Sequence, residues 1–342
     1  MLENYSKNLL QTLIADEKKI NKNLYSAGPY WNYKCKKIYN QICKKSLHNF
    51  RGLNSGVGTS YCDNIVLDIR NELGLRGRLL SFFLKGSLNP LTKLFDLQVR
   101  NSQNYINLYL ELKSHQYRTS AKVKDLIERY NINDSVEYGC VDKFDYLGNN
   151  YSSHYIEIAN DISFLEKFHN FRKISSFFEI GGGFGSKVHF LLKNFPNIKK
   201  IIYLDIVPNI FVGTEYLRKF FKDGVIDYLK TRDLDSVSFS NNNDLEILCL
   251  PIWEIEKLSV EMDYFHNAHS FVEMPKNVVE NYYRFIKKNM KINSNFSLIS
   301  YLGFDLNTTY DPLLINKIFE NLLEVNYFTN STEKRKNIFL IK

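Results

Sequence analysis

Apolar positions follow two different rhythms along the chain. In the first part they recur at helical spacing: Leu9, Leu10, Leu13, Ile14 and Ile20 predict an amphipathic helix within residues 1–24. The stretch 25–31, with Gly28 and Pro29, predicts a break, and a second helix is expected over 36–47. Gly52, Gly56 and Gly58 then make a loop that is either a lid or a plain flexible link. Helical spacing returns over 62–112, where Leu79, Leu80, Phe82, Phe83 and Leu84 form the most apolar run, and again at Val123, Leu126 and Ile127. Residues 131–150, rich in Asn, Asp and Gly, read as a loop or small hairpin. Tyr151 to Tyr155 then opens a helix that continues through Phe164 and Leu165.

After residue 175 the rhythm changes. Short apolar runs at 175–180, 201–206, 246–250, 262–266 and 296–301 alternate with helical patterns at 187–192, 211–221, 277–288 and 312–322. Strands separated by helices predict parallel pairing with a helical layer on each face. Two further runs, 323–328 and 337–341, complete seven strands and add an antiparallel strand. The expected architecture is α/β: a Rossmann-like seven-stranded sheet over 151–342, preceded by a mainly helical domain over 1–150 in a substrate or lid role. Residues 223–243, ending in the polar Ser240, Asn241, Asn242 and Asn243, read as an insertion.

The turn out of the first strand carries candidate chemistry. Phe178-Glu179-Ile180-Gly181-Gly182-Gly183-Phe184-Gly185 leads from a strand through glycines into a helix. Gly181 and Gly183 can adopt backbone angles closed to other residues and leave the main chain bare, so a ligand can lie directly on it. Asp205 follows about twenty residues later at the end of the second strand, where an acid hydrogen-bonds a ribose hydroxyl pair. A nucleoside is implied. A dinucleotide fingerprint would place a third glycine where Ser186 stands, bringing a pyrophosphate onto the helix N-terminus. Glu179, two residues before the first glycine, repels a pyrophosphate but suits the ammonium and sulfonium of S-adenosylmethionine. The pattern therefore favours S-adenosylmethionine over NAD. Ile206 beside the acid, and Leu250 and Pro251 at the end of the third strand, are expected to line the adenosine; Trp253 either joins them or simply packs.

Beyond the fourth strand, Asn267 to Pro275 fall at the carboxyl edge, where an open α/β sheet binds its ligands. His269 is the first choice of general base, since imidazole titrates near neutrality. Glu273 would orient it, act as base itself if desolvated, or form a capping box with Ser270. Asn267 is expected to hold the methionine end of the cofactor or the acceptor hydroxyl, while His266, inside the strand, reads as structural. Earlier in the chain, Arg51 beside Phe50 is either a phosphate clamp or an ordinary surface arginine. Tyr155, at the start of the helix leading into the sheet, joins it as a substrate-contact candidate; its neighbour His154 reads as structural. No dedicated cluster of metal ligands stands out.

Composition narrows the class. A hydrophobic fraction of 44% and a charged fraction of 24% are those of a globular chain, and 342 residues suit about two domains. Five cysteines without a Cys-x-x-Cys pair argue for reduced thiols. With neither a signal-like N-terminus nor an apolar run of roughly 18 residues, a cytoplasmic protein without a membrane span is expected. The net charge of +8 is unevenly spread, since residues 1–100 hold 16 Lys and Arg against 7 Asp and Glu. Such a basic region suits an anionic substrate such as a nucleotide sugar or phosphorylated glycan, nucleic acid, an acidic membrane surface, or a merely solvated lysine-rich face.

The chain resembles the sugar O-methyltransferases of bacterial surface-polysaccharide clusters, within the class I S-adenosylmethionine-dependent superfamily. The likeness rests on residues 178–185, on Tyr203-Leu204-Asp205-Ile206-Val207-Pro208-Asn209, and on Asn267-Ala268-His269-Ser270-Phe271-Val272-Glu273-Met274. Pro29-Tyr30-Trp31 and Asn49-Phe50-Arg51 resemble it less strongly. It covers most of residues 151–342 and only patches of 1–150. The resemblance implies a class I methyltransferase sheet and methyl transfer to a sugar hydroxyl in capsule or lipooligosaccharide synthesis. Nucleic-acid methylation fits less well, because Asn267-Ala268-His269-Ser270 stands where base-amine methylation usually has an Asn-Pro-Pro-aromatic loop. Methylation of another small molecule, and a non-catalytic cofactor-binding role in a polysaccharide assembly complex, are the remaining alternatives.

Overall fold

The computed structural model describes residues 3–45, 47, 50, 51, 117–140, 143–301, 323–328 and 335–341. The glycine loop at 52–58 and the helices expected over 62–112 and 312–322 lie outside the described residues. In chain order the elements are α1 (Asn4–Glu17), α2 (Lys22–Tyr25), α3 (Gly28–Lys45), α4 (Ala121–Arg129), β1 (Lys143–Tyr146), β2 (Asn149–Ser152), α5 (Ser153–Leu165) and β3 (Ser176–Ile180). Then come α6 (Ser186–Asn194), β4 (Lys200–Asp205), α7 (Asn209–Phe221), β5 (Val225–Asp227), α8 (Tyr228–Thr231), β6 (Glu246–Pro251), β7 (Met262–Ala268), α9 (Lys276–Lys288), β8 (Met290–Tyr301), β9 (Leu323–Phe328) and β10 (Arg335–Ile341). Short 3-10 turns occupy Ile252–Lys257 and Ser270–Glu273.

The chain divides into two compact units, Leu47–Ser163 and Met1–Ser46 together with Phe164–Lys342. In the larger unit eight strands form one sheet in the order β5-β6-β4-β3-β7-β8-β10-β9. From β5 to β8 every pairing is parallel, while β10 runs antiparallel to both β8 and β9. This is a Rossmann-like α/β sheet, and β3 is its switch point: the chain leaves on one side to β4 and returns on the other at β7. Side chains alternate across each strand, so Phe178 and Ile180 on β3, Ile202 and Leu204 on β4, Leu248 and Leu250 on β6 and Phe265 on β7 share one buried cluster. It is covered by α9, whose Val278, Val279, Tyr282 and Ile286 recur at helical spacing and are fully buried. Burying each such side chain contributes about 1.5–3 kcal/mol, so this layer fixes the strand ends on which the site is built.

The seven expected strands are present and an eighth joins them. Residues 223–243, read from sequence as an insertion, supply the edge strand β5 and the helix α8. Three residues are too few to show a period, and the strand is fixed by contacts distant in sequence. Asp227 at its end caps α8 by accepting from Leu229 N–H at 3.0 Å and also receives the Arg218 guanidinium and the Tyr5 hydroxyl.

Two further expectations change in the N-terminal region. The break expected over 25–31 lies earlier, because α3 starts at Gly28 and carries Pro29 in its first turn. Proline lacks only an N–H that has no intrahelical partner there, so it starts this helix rather than ending one. Residues 1–46 also group with the sheet rather than with the rest of 1–150. Leu9, Leu10 and Leu13 of α1 are buried, Ser6 Oγ donates to Glu215 at 2.7 Å, and the Tyr228 hydroxyl donates to Asp16 at 3.1 Å. Helical spacing shows that a face is apolar but not which layer it will cover.

In the smaller unit, residues 131–150 include the expected hairpin, with β1 and β2 antiparallel and Phe144 opposite Tyr151. Ser120 caps α4 by accepting from Val123 N–H at 3.3 Å.

Candidate functional site

The glycine turn after β3 is pinned by the end of β4. Gly181 N–H donates to Leu204 O at 2.8 Å, and the Tyr203 hydroxyl donates to Gly183 O at 2.6 Å. Gly181 and Gly183 have φ of +74° and +66°, in the left-handed region that favours glycine. Their surroundings differ. A Cβ on Gly181 would stand 2.2 Å from Ser270 Oγ, whereas one on Gly183 would meet nothing within 4 Å. Gly181 thus serves packing, and Gly183 leaves its backbone open to a ligand.

Asp205 completes the turn. Its Oδ2 accepts from Gly183 N–H at 2.8 Å and its Oδ1 from Ile206 N–H at 2.7 Å. The Asn209 side chain is a further donor, so the carboxylate is aimed by its neighbours and keeps acceptor capacity for a ligand hydroxyl. Burial is the largest influence on Asp205 and pushes its pKa up to about 7, against the lowering effect of those two N–H groups. Glu179, 2 % exposed at the end of β3, is likewise pushed up to about 7 by burial, with Lys187 opposing.

Orphaned polar atoms surround this pair. Glu179 Oε2, Asn209 Oδ1 and the Tyr282 hydroxyl are buried with no hydrogen-bond partner among the described residues. The charge of Asp205 is felt at Tyr282 and at Cys35 of α3, whose thiol is pushed up to about 12 by burial, then by Glu17 and Asp205. Buried polar atoms ordinarily find partners, so orphans gathered beside an open glycine backbone mark a place for a polar ligand. A nucleoside with a cationic end fits the donor set: Asp205 for hydroxyls, Glu179 for the cation and bare backbone at Gly183.

The loop after β7 separates structural residues from reactive candidates. Asn267, expected to hold a ligand, is 1 % exposed. Its Nδ2 donates to Ile180 O at 2.8 Å and to Ser270 Oγ at 2.5 Å, and its Oδ1 accepts from Phe271 N–H at 3.2 Å. The amide is spent on fastening this loop to the end of β3, so Asn267 is corrected from ligand contact to loop anchor. His269 follows at φ +65°, rare for a residue with a side chain; it is half-buried, and its N–H donates to Ile299 O at 2.7 Å. Glu273 accepts from Trp31 Nε1 at 2.7 Å, which brings α3 to this edge of the sheet. His266 is structural as expected, with Nδ1 2.7 Å from Ser297 Oγ and Nε2 against Lys187.

Ile206 and Leu250 are buried within the apolar core, and Pro251 pairs with Asp205 across β4 and β6. Arg51 requires a correction. Its guanidinium is buried in the smaller unit and donates to Ser135 O at 2.7 Å, Ser152 Oγ at 3.0 Å and Tyr138 O at 3.5 Å. Tyr155 lies beneath it, ring to guanidinium 5.5 Å, and is 1 % exposed. These residues do come together, but as an interior brace whose donors go to the chain itself, and so not as the expected clamp and substrate contact. Sequence reasoning missed Cys35 and Tyr282 near Asp205, because nothing in their spacing ties them to a strand end; Asn209, four residues after Asp205, stood in a motif without an assigned role. Trp31 was noticed only as part of a motif.

No protein-family model and no curated protein matches the chain. Among solved structures it is similar to the mitomycin 7-O-methyltransferase MmcR, at 15% identity over 70% of this chain and 76% of that one, with a TM-score of 0.38. It is also similar to magnesium protoporphyrin IX methyltransferase (ChlM) from Synechocystis with bound S-adenosylmethionine, at 11% identity over 55% of this chain and 80% of that one, TM-score 0.37. A third similarity is to phosphoethanolamine N-methyltransferase 2 from Haemonchus contortus with S-adenosylhomocysteine, at 10% identity over 53% of this chain and 51% of that one, TM-score 0.36.

Proposed function

We propose that this protein is an S-adenosylmethionine-dependent O-methyltransferase that acts on a sugar hydroxyl, on a nucleotide-linked or polymer-linked sugar of surface-polysaccharide synthesis. The observation that carries the cofactor reading is Asp205, aimed by Gly183 and Ile206 N–H at the edge of an open glycine turn that has Glu179 beneath it. The bound cofactor supplies a methyl group on a positively charged sulfur. Asp205 holds the ribose hydroxyls, and Glu179 receives the ammonium of the methionine end. A dinucleotide pyrophosphate would meet the Glu179 carboxylate at the same turn, an unfavourable pairing of like charges.

The acceptor reading rests on the resemblance of residues 267–274 and on the basic N-terminal region. A sugar hydroxyl is a weak nucleophile at neutral pH, so a base within reach assists by taking its proton. His269 is that base, set at the carboxyl edge by the anchored 267–271 loop. Glu273, held by Trp31, presents a carboxylate on the same loop. Most of the acceleration comes from alignment of acceptor oxygen, methyl carbon and sulfur, which requires a rigid loop more than an unusual group.

The first experiment is calorimetric titration with S-adenosylmethionine and, separately, NAD, with Asp205→Ala as control. Micromolar binding of S-adenosylmethionine, lost in the control, is the expected result. Preferential NAD binding overturns the methyltransferase reading, and binding of neither favours a scaffold role. With binding secured, nucleotide sugars are screened for methyl transfer; His269→Ala then lowers kcat by about 10²–10⁴-fold if it is the base. Unchanged kcat in that variant removes the assignment and leaves the enzyme reading standing.

A further inference from the structure

Beneath the glycine turn runs a row of buried polar groups of which the cofactor reading uses only Glu179. Glu179 on β3 pairs in register with His266 on β7, and His266 with Ser297 on β8, so three side chains on adjacent strands project from one face of the sheet. All three are buried. His266 Nδ1 lies 2.7 Å from Ser297 Oγ, which also accepts from the Tyr264 hydroxyl at 2.8 Å. Lys187, buried in the first turn of α6, sets its ammonium against His266 Nε2. An ammonium can only donate, so Nε2 accepts and the ring proton sits on Nδ1, toward Ser297. His266 is thereby neutral, and the cation in this row is Lys187.

The acid of the row is Glu179. Its orphaned Oε2 lies directly under the turn, 2.4 Å from where a Cβ on Gly182 would stand. The charged and titratable groups that face it are Lys187 from α6, His266 from β7, and Tyr203 and Asp205 from β4. Lys187 favours its charge, whereas burial and Asp205 oppose it. Without a cation at hand, a carboxyl this deeply buried takes up a proton and stops being a receptor for an ammonium.

We propose that Lys187 is a positioning residue for the cofactor: fastened to His266 in the buried row, it supplies the counter-charge that keeps Glu179 an anion ready for the ammonium of the methionine end. This rests on the S-adenosylmethionine reading. Lys187 acts through Glu179, and two consequences of opposite sign follow. Where Glu179 would otherwise be protonated, Lys187 strengthens binding. Where Glu179 is already an anion, a second cation nearby repels the incoming ammonium and weakens it. A merely structural lysine has no such reversal.

The test is affinity against pH, from about pH 5.5 to 9, with S-adenosylhomocysteine as probe. It keeps the same ammonium, whose own titration is common to every variant. In the wild type, affinity falls as pH drops through the point where Glu179 takes up its proton. In Lys187→Met that point moves up by about one pH unit, giving about tenfold weaker binding on the acid side and equal or tighter binding at the alkaline end. In a Glu179→Gln background there is no acid midpoint to move, so Lys187→Met changes affinity by the same factor at every pH. Should Lys187→Met not fold, Lys187→Gln, which keeps a donor for His266 Nε2 without the charge, makes the same comparison. An unshifted profile, or a loss equal at every pH, overturns the role of Lys187 alone. A wild-type protein that binds no probe at any pH overturns the cofactor reading as well.

Discussion

Gly181 and Gly183 share a positive φ but differ in what an added Cβ would meet. At Gly181→Ala the new atom falls on Ser270, whose hydroxyl receives the Asn267 amide, so the 267–271 loop must shift. Left-handed strain of about 1–2 kcal/mol is then joined by overpacking of about 1–3 kcal/mol. At Gly183→Ala the strain stands alone, but the methyl enters the space proposed for the cofactor. Denaturant unfolding should therefore rank Gly181→Ala as clearly less stable, while calorimetry finds S-adenosylmethionine binding weakened in Gly183→Ala at near-native stability. Equal stability losses, or native affinity in Gly183→Ala, would contradict this division. The backbone demand at both glycines and the strand-end place of Asp205 were legible in sequence, but not that Gly181 faces Ser270 while Gly183 faces open space. The roles of Asn267 and Arg51 were not legible either, since a side chain that donates to the main chain looks the same in sequence as one that donates to a ligand.

Helix α3 shows the corresponding limit for an element. Its Pro29 has the same sequence signature whether a helix is ending or beginning, and only the sheet-side partners decide. One of them is Glu273, which accepts from Trp31 Nε1. Trp31→Phe keeps an aromatic ring and removes that donor, so the half-buried carboxylate loses a hydrogen bond worth about 1 kcal/mol. If the bond couples α3 to the loop, Glu273→Gln should cost less stability in the Trp31→Phe background than in the wild type. A double-mutant cycle in denaturant unfolding reads this directly, and additivity within about 0.3–0.5 kcal/mol would mean that α3 docks without it. The edge strand β5 was illegible for a related reason. Its pairing with β6 and the Tyr5 hydroxyl on Asp227 come from chain segments that no local window contains.

For the whole molecule, burying two acids at one strand edge makes stability depend on pH in a specific direction. Glu179 and Asp205 move from ordinary values of 4.5 and 3.8 to about 7 on folding. Between those limits the folded protein binds more protons than the unfolded chain, so the free energy of unfolding falls as pH rises toward 7 and stays lower above it. His266 acts on the acid side: burial holds its pKa well below the ordinary 6.5, so the unfolded chain binds the extra proton and stability falls as pH drops below that value. Free wild-type protein should consequently be most stable on the mildly acidic side of neutrality. Glu179→Gln isolates one contribution, because it leaves His266 in place and removes the acid. Its unfolding temperature without ligand should exceed the wild type's at pH 8, by no more than about 3 kcal/mol in stability, and the excess should vanish toward pH 4.5. Ligand should narrow the gap. At 100 times its Kd, S-adenosylmethionine adds about 2.7 kcal/mol to the wild type at pH 8 but less to Glu179→Gln, where the ammonium has lost its receptor. Thermal unfolding with and without ligand at the two pH values measures both effects. A variant no more stable than wild type at pH 8 would mean that Glu179 sits in a more polar setting than its burial implies, and so that the strand edge is not held under tension for a cation.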